Sequence, residues 1–579
     1  MVFAASCLLA LWSACHAVDV QAHATLLQTE PPSGSQIDEA PDKVLLAFNE
    51  RVESVFNSIQ VLDQDGRRVD VGDPQVVGDG DTLEVGLKDL GKGQYTVRWR
   101  VNSLDGHQVQ GHFGFGVKSP PPTEATMSNL SVPQQSLTMK FSLLLVKWAG
   151  LVGMITWLGG ISFWVVIFEP GLSPVSEGMP GQQAVIQGAC GILWIAAALF
   201  FVAQILGLIG QGMTFAEIPL MSALSPRTMR TMLIATSYGH WWSLRMVAAL
   251  GLLGLCAWRM RISVMIRTGE SVAKREGIPF ILGAGILGGI MLLTIPMSGH
   301  AQAVPHAVLL AVGSDWVHMA ATTIWIGGLV FLAVVVLLAE GGEDDNKAML
   351  SGLVARFSRV ARICVLALLV TGVYAAWLHI PSWRALVSTD YGRVLLIKLI
   401  LVGMILLIAA VNWRRVLPAL TDFSRQVEIF HKWATRFRAL VSAEAFLGIA
   451  VLASVALLTS LPPAVAVANV GPVVMSKQNQ DMTVNLNLDS TRVGTVHMSV
   501  ILRGSSGRTI TDAERVTLYV KMLDMDMGLE TVEAQPAPNG AFQADIPFSM
   551  AGRWLVSVEV SPAHGDTFVT EFNVSTANL

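Results

Sequence analysis

Eight apolar runs, at roughly 141–167, 188–213, 233–258, 278–297, 315–338, 361–379, 394–412 and 437–461, constrain this 579-residue chain more than any other feature. Each meets the length of about 17–25 residues that a helix needs to cross hydrocarbon. Inside a bilayer every backbone polar group must be satisfied within the segment, so an isolated apolar run of this kind has to be helical. Charged residues make up 14% of the chain, against about 25% in soluble domains. The expected centre of the fold is therefore an eight-helix transmembrane bundle over 140–462. A net charge of −4 supplies no basic surface for nucleic acid. The apolar piece 304–314, bounded by His306 and Asp315, reads as a short interfacial or re-entrant helix, with the fifth span starting at Asp315.

Basic residues in the loops give the orientation. The loop 259–277 holds Arg259, Arg261, Arg267, Lys274 and Arg275. Lys347, Arg356 and Arg359 lie in 339–360, and Arg414, Arg415, Arg425, Lys432 and Arg436 in 413–436. The alternate loops are poorer in Lys and Arg. The basic loops belong in the cytoplasm, and eight spans then put both chain ends outside.

Polar residues at the spans carry the chemistry. His240, His300, His306, His318 and His379 fall at outer helix ends or in outer loops, and only His431 falls on the cytoplasmic side. Asp315 and His318 stand three apart and share a helix face, as do Met297 and His300. Thioether plus imidazole suits soft Cu(I). Any one interfacial histidine can be explained as a hydrogen-bonded or snorkelling residue; the sorting of the set to one side favours metal handling. Arg245 can stack on Trp241 or snorkel outward. Lys147 and Lys398 lie near outer ends and read as snorkelling, while Glu444 is either a ligand or the partner of an arginine.

The flanks are water-facing. Residues 1–22 read as a signal peptide ending in Val20-Gln21-Ala22, whose cleavage would make His23 the first mature residue. Residues 23–118 alternate in short strands, at Val44–Phe48, Ser58–Leu62, Thr82–Leu87 and Gln94–Val101, separated by Gly, Asp and Pro turns. A Pro-rich spacer follows over 119–139, and a second set of alternating strands fills 463–579. The fold class is thus a multi-domain membrane protein: a periplasmic β-sandwich, an eight-helix transmembrane bundle and a C-terminal periplasmic β-sandwich. None of the 5 cysteines falls in these flanking domains, so metal there needs His, Met or carboxylate. A free amine and imidazole at His23, with Asp105 and His107, suit tetragonal Cu(II). The other reading makes Asp105-Gly106 a turn and His107 a loop residue; His112 points to the opposite strand face. Met525 and Met527 pair on one strand face, with Met522 out of phase; ordinary core methionine explains them equally well.

Three resemblances add to this. Ala22-His-Ala, Pro31-Pro-Ser-Gly, Val44-Leu-Leu-Ala-Phe-Asn-Glu-Arg-Val-Glu53 and Asp105-Gly-His107…Gly111…Phe115 resemble the CopC family of periplasmic copper-binding β-sandwiches. That resemblance implies Cu(II) ligands at His23, Asp105 and His107. Gly239-His-Trp-Trp-Ser-Leu-Arg245, Ser298-Gly-His-Ala301, His318…Trp325-Ile-Gly-Gly-Leu329, Phe357-Ser-Arg-Val-Ala361 and Thr371-Gly-Val-Tyr374 resemble the CopD family of copper-linked membrane proteins. It implies copper ligands at His300 and His318, then His240; Asp315 and Met297 join them by the spacing given above. Met522–Gly528 with Gly540…Ala551-Gly-Arg-Trp554 is similar to the YtkA-like domain, and the order of the three resembles the YcnJ-type fusion.

The expected function is copper transport (uptake) or copper resistance at the bacterial inner membrane, without enzymatic activity. Cu(II) is held in the first domain, and Cu(I) in the bundle and at the C-terminal Met pair. The expected partners are the copper ion, the lipid bilayer, and periplasmic copper chaperones or a reductant. One rival is a haem-binding membrane cytochrome for electron transfer; placing His300 and His318 at helix ends argues against it. Another is an oxidative enzyme, since an N-terminal His can activate oxygen at copper; the Asp in the ligand set favours storage.

Overall fold

The computed structural model describes residues 26–48, 51–53, 58–72, 74–103, 108–122, 126–127, 136–168, 180–216, 218–267, 277–298, 308–338, 344–380, 383–416, 418, 427–461, 464, 473–479, 482–491, 494–504, 509–510, 513–523, 529–537, 540–548, 552–562 and 567–576. The chain divides into a β unit, drawn from both flanks, and a helical unit spanning 134–462.

The N-terminal flank is a β-sandwich. One sheet orders β1 (Leu26–Glu30), β3 (Lys43–Phe48), β7 (Thr82–Gly86) and β6 (Gln75–Val77). The other orders β2 (Gln36–Ile37), β9 (Gln108–Val117), β8 (Gly93–Ser103) and β4 (Val52–Glu53), with β5 (Ile59–Asp63) also on β8. Strand side chains alternate between faces, so β8 turns Tyr95, Val97, Trp99 and Val101 inward, each buried. Trp99 packs edge-on against Phe48 and Tyr95 stacks on Phe115, with ring centroids 5.4 and 5.5 Å apart. Trp99 also faces Gly111 across the β8–β9 ladder. A β-carbon at Gly111 would lie 2.6 Å from the indole Cζ2, so the tryptophan needs glycine opposite it.

The C-terminal flank repeats this logic. β10 (Val473–Asn479), β11 (Met482–Leu488), β12 (Gly494–Gly504), β17 (Phe542–Phe548) and β16 (Gln535–Pro536) form one sheet, with β13 (Thr509–Ile510) on β12. β15 (Leu529–Glu533), β14 (Ala513–Met522), β18 (Gly552–Pro562) and β19 (Phe568–Thr576) form the other. Inward residues alternate strictly along β19, and Met498 and Met522 are buried in this core.

The helical unit has eight helices long and apolar enough to cross a membrane. They are α1 (Leu137–Phe163), α2 (Pro180–Ala216), α3 (Ser237–Arg267), α4 (Gly277–Leu293), α5 (Val308–Leu338), α6 (Asp344–His379), α7 (Asp390–Val411) and α8 (Val427–Leu458). π-Helical turns extend α1 over Trp164–Phe168 and α7 over Asn412–Val416, and interrupt α5 over Thr323–Gly327. The apolar window of α5 is 72% buried and that of α1 67%, against 11% for α6 and α7. The first two are therefore the core, and the others show most of their surface to lipid. Their crossing is backbone against backbone: a β-carbon at Gly327 would lie 2.8 Å from Gly159 Cα. Small residues at such a contact let membrane helices approach closely.

α5 corrects the sequence reading. The piece 308–314 is no separate interfacial helix; it runs unbroken into the span. Gly313-Ser314 carries no proline and does not interrupt the helix. Counting about 1.5 Å per residue, Asp315 lies about 10 Å and His318 about 15 Å from the start of α5. Neither stands at a helix end.

Candidate metal centre

The most buried helix thus carries an aspartate and a histidine on one face. Both are half-buried. His318 Nδ1 meets Thr371 Oγ1 of α6 at 2.8 Å. The Thr371 hydroxyl spends its own proton on the Ala367 carbonyl at 2.7 Å. It is therefore the acceptor, and the imidazole proton sits on Nδ1. That leaves the Nε2 lone pair available, the arrangement of a metal-ready histidine whose other nitrogen is held by a partner. The neighbouring Gly372 leaves room at the ring: a β-carbon there would stop 3.7 Å from His318 Cε1.

Around this pair the ends of α6 and α7 supply polar groups. Lys398 of α7 lies within electrostatic reach of both Asp315 and His318. Tyr374 and Tyr391 feel the Asp315 charge, and His379 meets the Tyr391 ring at 6.1 Å. Met297, in a short 3-10 turn after α4, packs with Leu378 against Ala311 and Val312 of α5. Trp316 donates its indole N–H to the Gly289 carbonyl at 2.9 Å, tying α5 to α4.

The other expected positions fall as follows. His240 is exposed in the first turn of α3. Among the described residues no three His, Cys, Asp or Glu side chains converge to hold a metal, so His240 does not complete a site with Asp315 and His318. His23, Asp105, His107, His300, Met525 and Met527 lie outside the described residues. The structure does describe the strands that carry two of them: β8 and β9 remain paired up to Asn102 and Gln108, on either side of Asp105 and His107. His497 bonds Asp545 on the facing strand at 2.8 Å, whereas Met498 is buried on the other side of the sheet.

The polar residues of the spans meet partners that the sequence did not name. Arg245 neither stacks on Trp241 nor snorkels. Its Nε donates to Thr294 Oγ1 at 2.7 Å, its Nη2 to the Thr294 carbonyl at 3.2 Å and its Nη1 to Gln204 Oε1 at 3.3 Å. Lys147 donates to the Thr459 carbonyl at 2.8 Å and to Ser460 Oγ at 3.2 Å, joining the start of α1 to the end of α8. Glu444 pairs with Asn412 and not with an arginine. Sequence reasoning missed Thr371 as the histidine's partner. The available signal was Thr371 and Tyr374 three apart in an otherwise apolar span, placing two hydroxyls on one helix face.

Comparison with known families covers most of this architecture. The CopC domain model matches 26–118, the copper resistance protein D-like N-terminal domain 138–307, copper resistance protein D 351–458 and the YtkA-like model 476–559. The chain belongs to the CopC–CopD fusion family, with a YtkA-like domain at its end. Copper transport protein CutJ of Bacillus subtilis (strain 168) is 26% identical over 546 residues, 93% of each chain. Copper resistance protein D of Pseudomonas syringae pv. tomato is 26% identical over 212 residues, 36% of this chain and 68% of its own. Among solved structures, CopC from Methylosinus trichosporium OB3b is 32% identical and covers 18% of this chain and 98% of its own, with a TM-score of 0.16. Asp315 and His318 fall between the two copper resistance D matches. This fusion is a multi-pass membrane protein of a copper transport and resistance family.

Proposed function

We propose that this chain captures Cu(II) outside the cell and passes copper inward through the membrane bundle. The observation that carries the reading is the half-buried His318, whose Nδ1–H is held by Thr371 and whose Nε2 is left for a ligand. In this reading the mature chain begins at His23. Its amine and imidazole, with Asp105 and His107, hold Cu(II) in the first β-sandwich. The basic loops lie in the cytoplasm, so both β-sandwiches face outward and His318 opens toward the same side. The linker over 119–139 makes the hand-over to His300, Met297, Asp315 and His318 intramolecular, at an effective concentration set by its length. Reduction to Cu(I) or ligand exchange releases the ion from its nitrogen and oxygen ligands to the softer set. Met525 and Met527 offer a further Cu(I) station at the C-terminal domain, and periplasmic chaperones or a reductant supply the first domain. Copper is cargo throughout, and no bond of a substrate is made or broken.

Copper must be held by deprotonated imidazole and carboxylate, so binding weakens as pH falls. The test compares cellular copper in cells lacking the protein, cells with it, and cells with the His300→Ala, His318→Ala double variant. Copper content and tolerance in the variant should match those of cells lacking the protein. Values equal to wild type would remove the membrane half of the reading.

A further inference from the structure

The membrane unit holds a second polar site far from His318. Glu444 of α8 is 4% exposed, the one buried carboxylate among the described residues of that unit. Its Oε1 accepts from Asn412 Nδ2 at 2.8 Å. Asn412 opens the π turn after α7, and π turns inside helices are frequent at functional sites. The amide oxygen of Asn412 is buried and has no hydrogen-bond partner among the described residues. Depth follows from the packing of α5 on α8. Gly448 lies at the level of Ile326, whose side chain would stand 3.0 Å from a β-carbon placed there. Eight residues from His318 to Ile326 and four from Gly448 to Glu444 then separate the two sites by about 18 Å along the bundle.

An ionised Glu444 would be a charge in hydrocarbon met by one neutral donor, which is costly. Among the described residues, its carboxylate is partnered by the neutral Asn412 amide. The second part of α5, over Gly328–Leu338, has no titratable residue, nor does the end of α1. Arg414 and Arg415 on the π turn are exposed. Arg362 of α6 lies over the Trp413 ring at 5.9 Å, and Arg436 over Trp433 at 5.1 Å. Lys432 and Arg438 precede Glu444 on its own helix, and Lys398 of α7 is at the Asp315 end. A neutral acid accounts for both features at once. Its carbonyl accepts the Asn412 N–H, and it brings an O–H donor to a pair whose amide oxygen has no partner among the described residues.

We propose that Glu444 and Asn412 form a proton-holding site, and that Glu444 releases its proton when a copper ion passes through the bundle, so that cation and proton move in exchange. The exchange half rests on the transport reading above. The step balances without redox chemistry: the carboxylic O–H breaks, the proton leaves to water on the His318 side from which the ion comes, the carboxylate offsets the entering charge, and Glu444 takes a proton back from the remote side once the ion has left. In low dielectric that compensation is worth far more than in water.

Infrared spectroscopy of the full chain in lipid nanodiscs at neutral pH reads the proton directly. A protonated-carboxyl carbonyl band that shifts in heavy water and vanishes in Glu444→Gln is expected, and Asn412→Leu should retain the band at an altered frequency. Absence of the band in wild type, or its persistence in Glu444→Gln, overturns the proposal. In proteoliposomes loaded with a pH dye, Cu(I) entry should drive protons the other way, and Glu444→Gln should carry Cu(I) with the proton counterflow lost to background. Equal counterflow in both proteins overturns the exchange. If wild type moves no Cu(I), the transport reading and the exchange fail together, while the infrared band still decides the proton-holding site.

Discussion

Thr371→Val is the sharpest probe of the bundle site, because it removes one oxygen and keeps the shape. In the wild type that oxygen accepts the His318 Nδ1 proton at 2.8 Å and donates to Ala367 at 2.7 Å. Valine leaves the Nδ1–H without its acceptor in a half-buried position. An unsatisfied buried donor costs about 1–3 kcal/mol. That cost falls on the tautomer whose Nε2 is free, which is the tautomer a metal ion requires. Losing the partner of a ligating histidine lowers metal affinity by about 10–100-fold, or about 1.4–2.8 kcal/mol at 1.4 per tenfold, so the two estimates agree. The Ala367 carbonyl keeps its place in the helix ladder, so α6 itself should be little affected. The assay is competition for Cu(I) between purified full-length protein and a chromogenic chelator, with Thr371→Ser as the rescue that restores the hydroxyl. Thr371→Val binding as tightly as wild type, or Thr371→Ser losing as much as Thr371→Val, would refute the assignment of Nε2 as the ligand atom.

Gly327→Ala puts a methyl against the Gly159 backbone, 2.8 Å from its Cα; overpacking of about 1–3 kcal/mol or more should lower the thermal midpoint of the detergent-solubilised chain, read by size-exclusion after heating, whereas Gly372→Ala should not. Burial, and then the negative charge of Asp63, raise the Tyr95 phenol above its ordinary 10.0. The folded state then keeps its proton after the unfolded state has lost it, so stability is full below about pH 10 and falls as pH rises beyond it. Hydrogen exchange of the β8 amides should speed up in that window, and Tyr95→Phe should remove the tyrosine's share of the slope. His23→Ala should cost the first domain at least about tenfold in Cu(II) affinity, with the nitrogen hyperfine pattern changed in the electron paramagnetic resonance spectrum.

The β-sandwiches were readable residue by residue. In Gln94–Val101 the period of two is the burial pattern apart from buried Thr96, and the strand extends the expected range by only one or two residues at each end. The position of Gly111 opposite Trp99 is also local information once the β8–β9 hairpin is drawn. The eight spans were readable because their cost in water is additive along the chain. What could not be read was where polar groups inside those spans find relief. Asp315 looked like a boundary because a carboxylate ends an apolar run; it lies within the helix, with Lys398 of another helix in electrostatic reach. His318 meets a hydroxyl 53 positions away and Arg245 meets Thr294 49 positions away. An ionisable group in a membrane helix announces its penalty locally, while its compensation depends on which helices pack together. The sequence of one helix therefore tells that Asp315, His318, Arg245 and Glu444 must be answered, and only the packing of α2, α4, α6 and α7 around them tells by what.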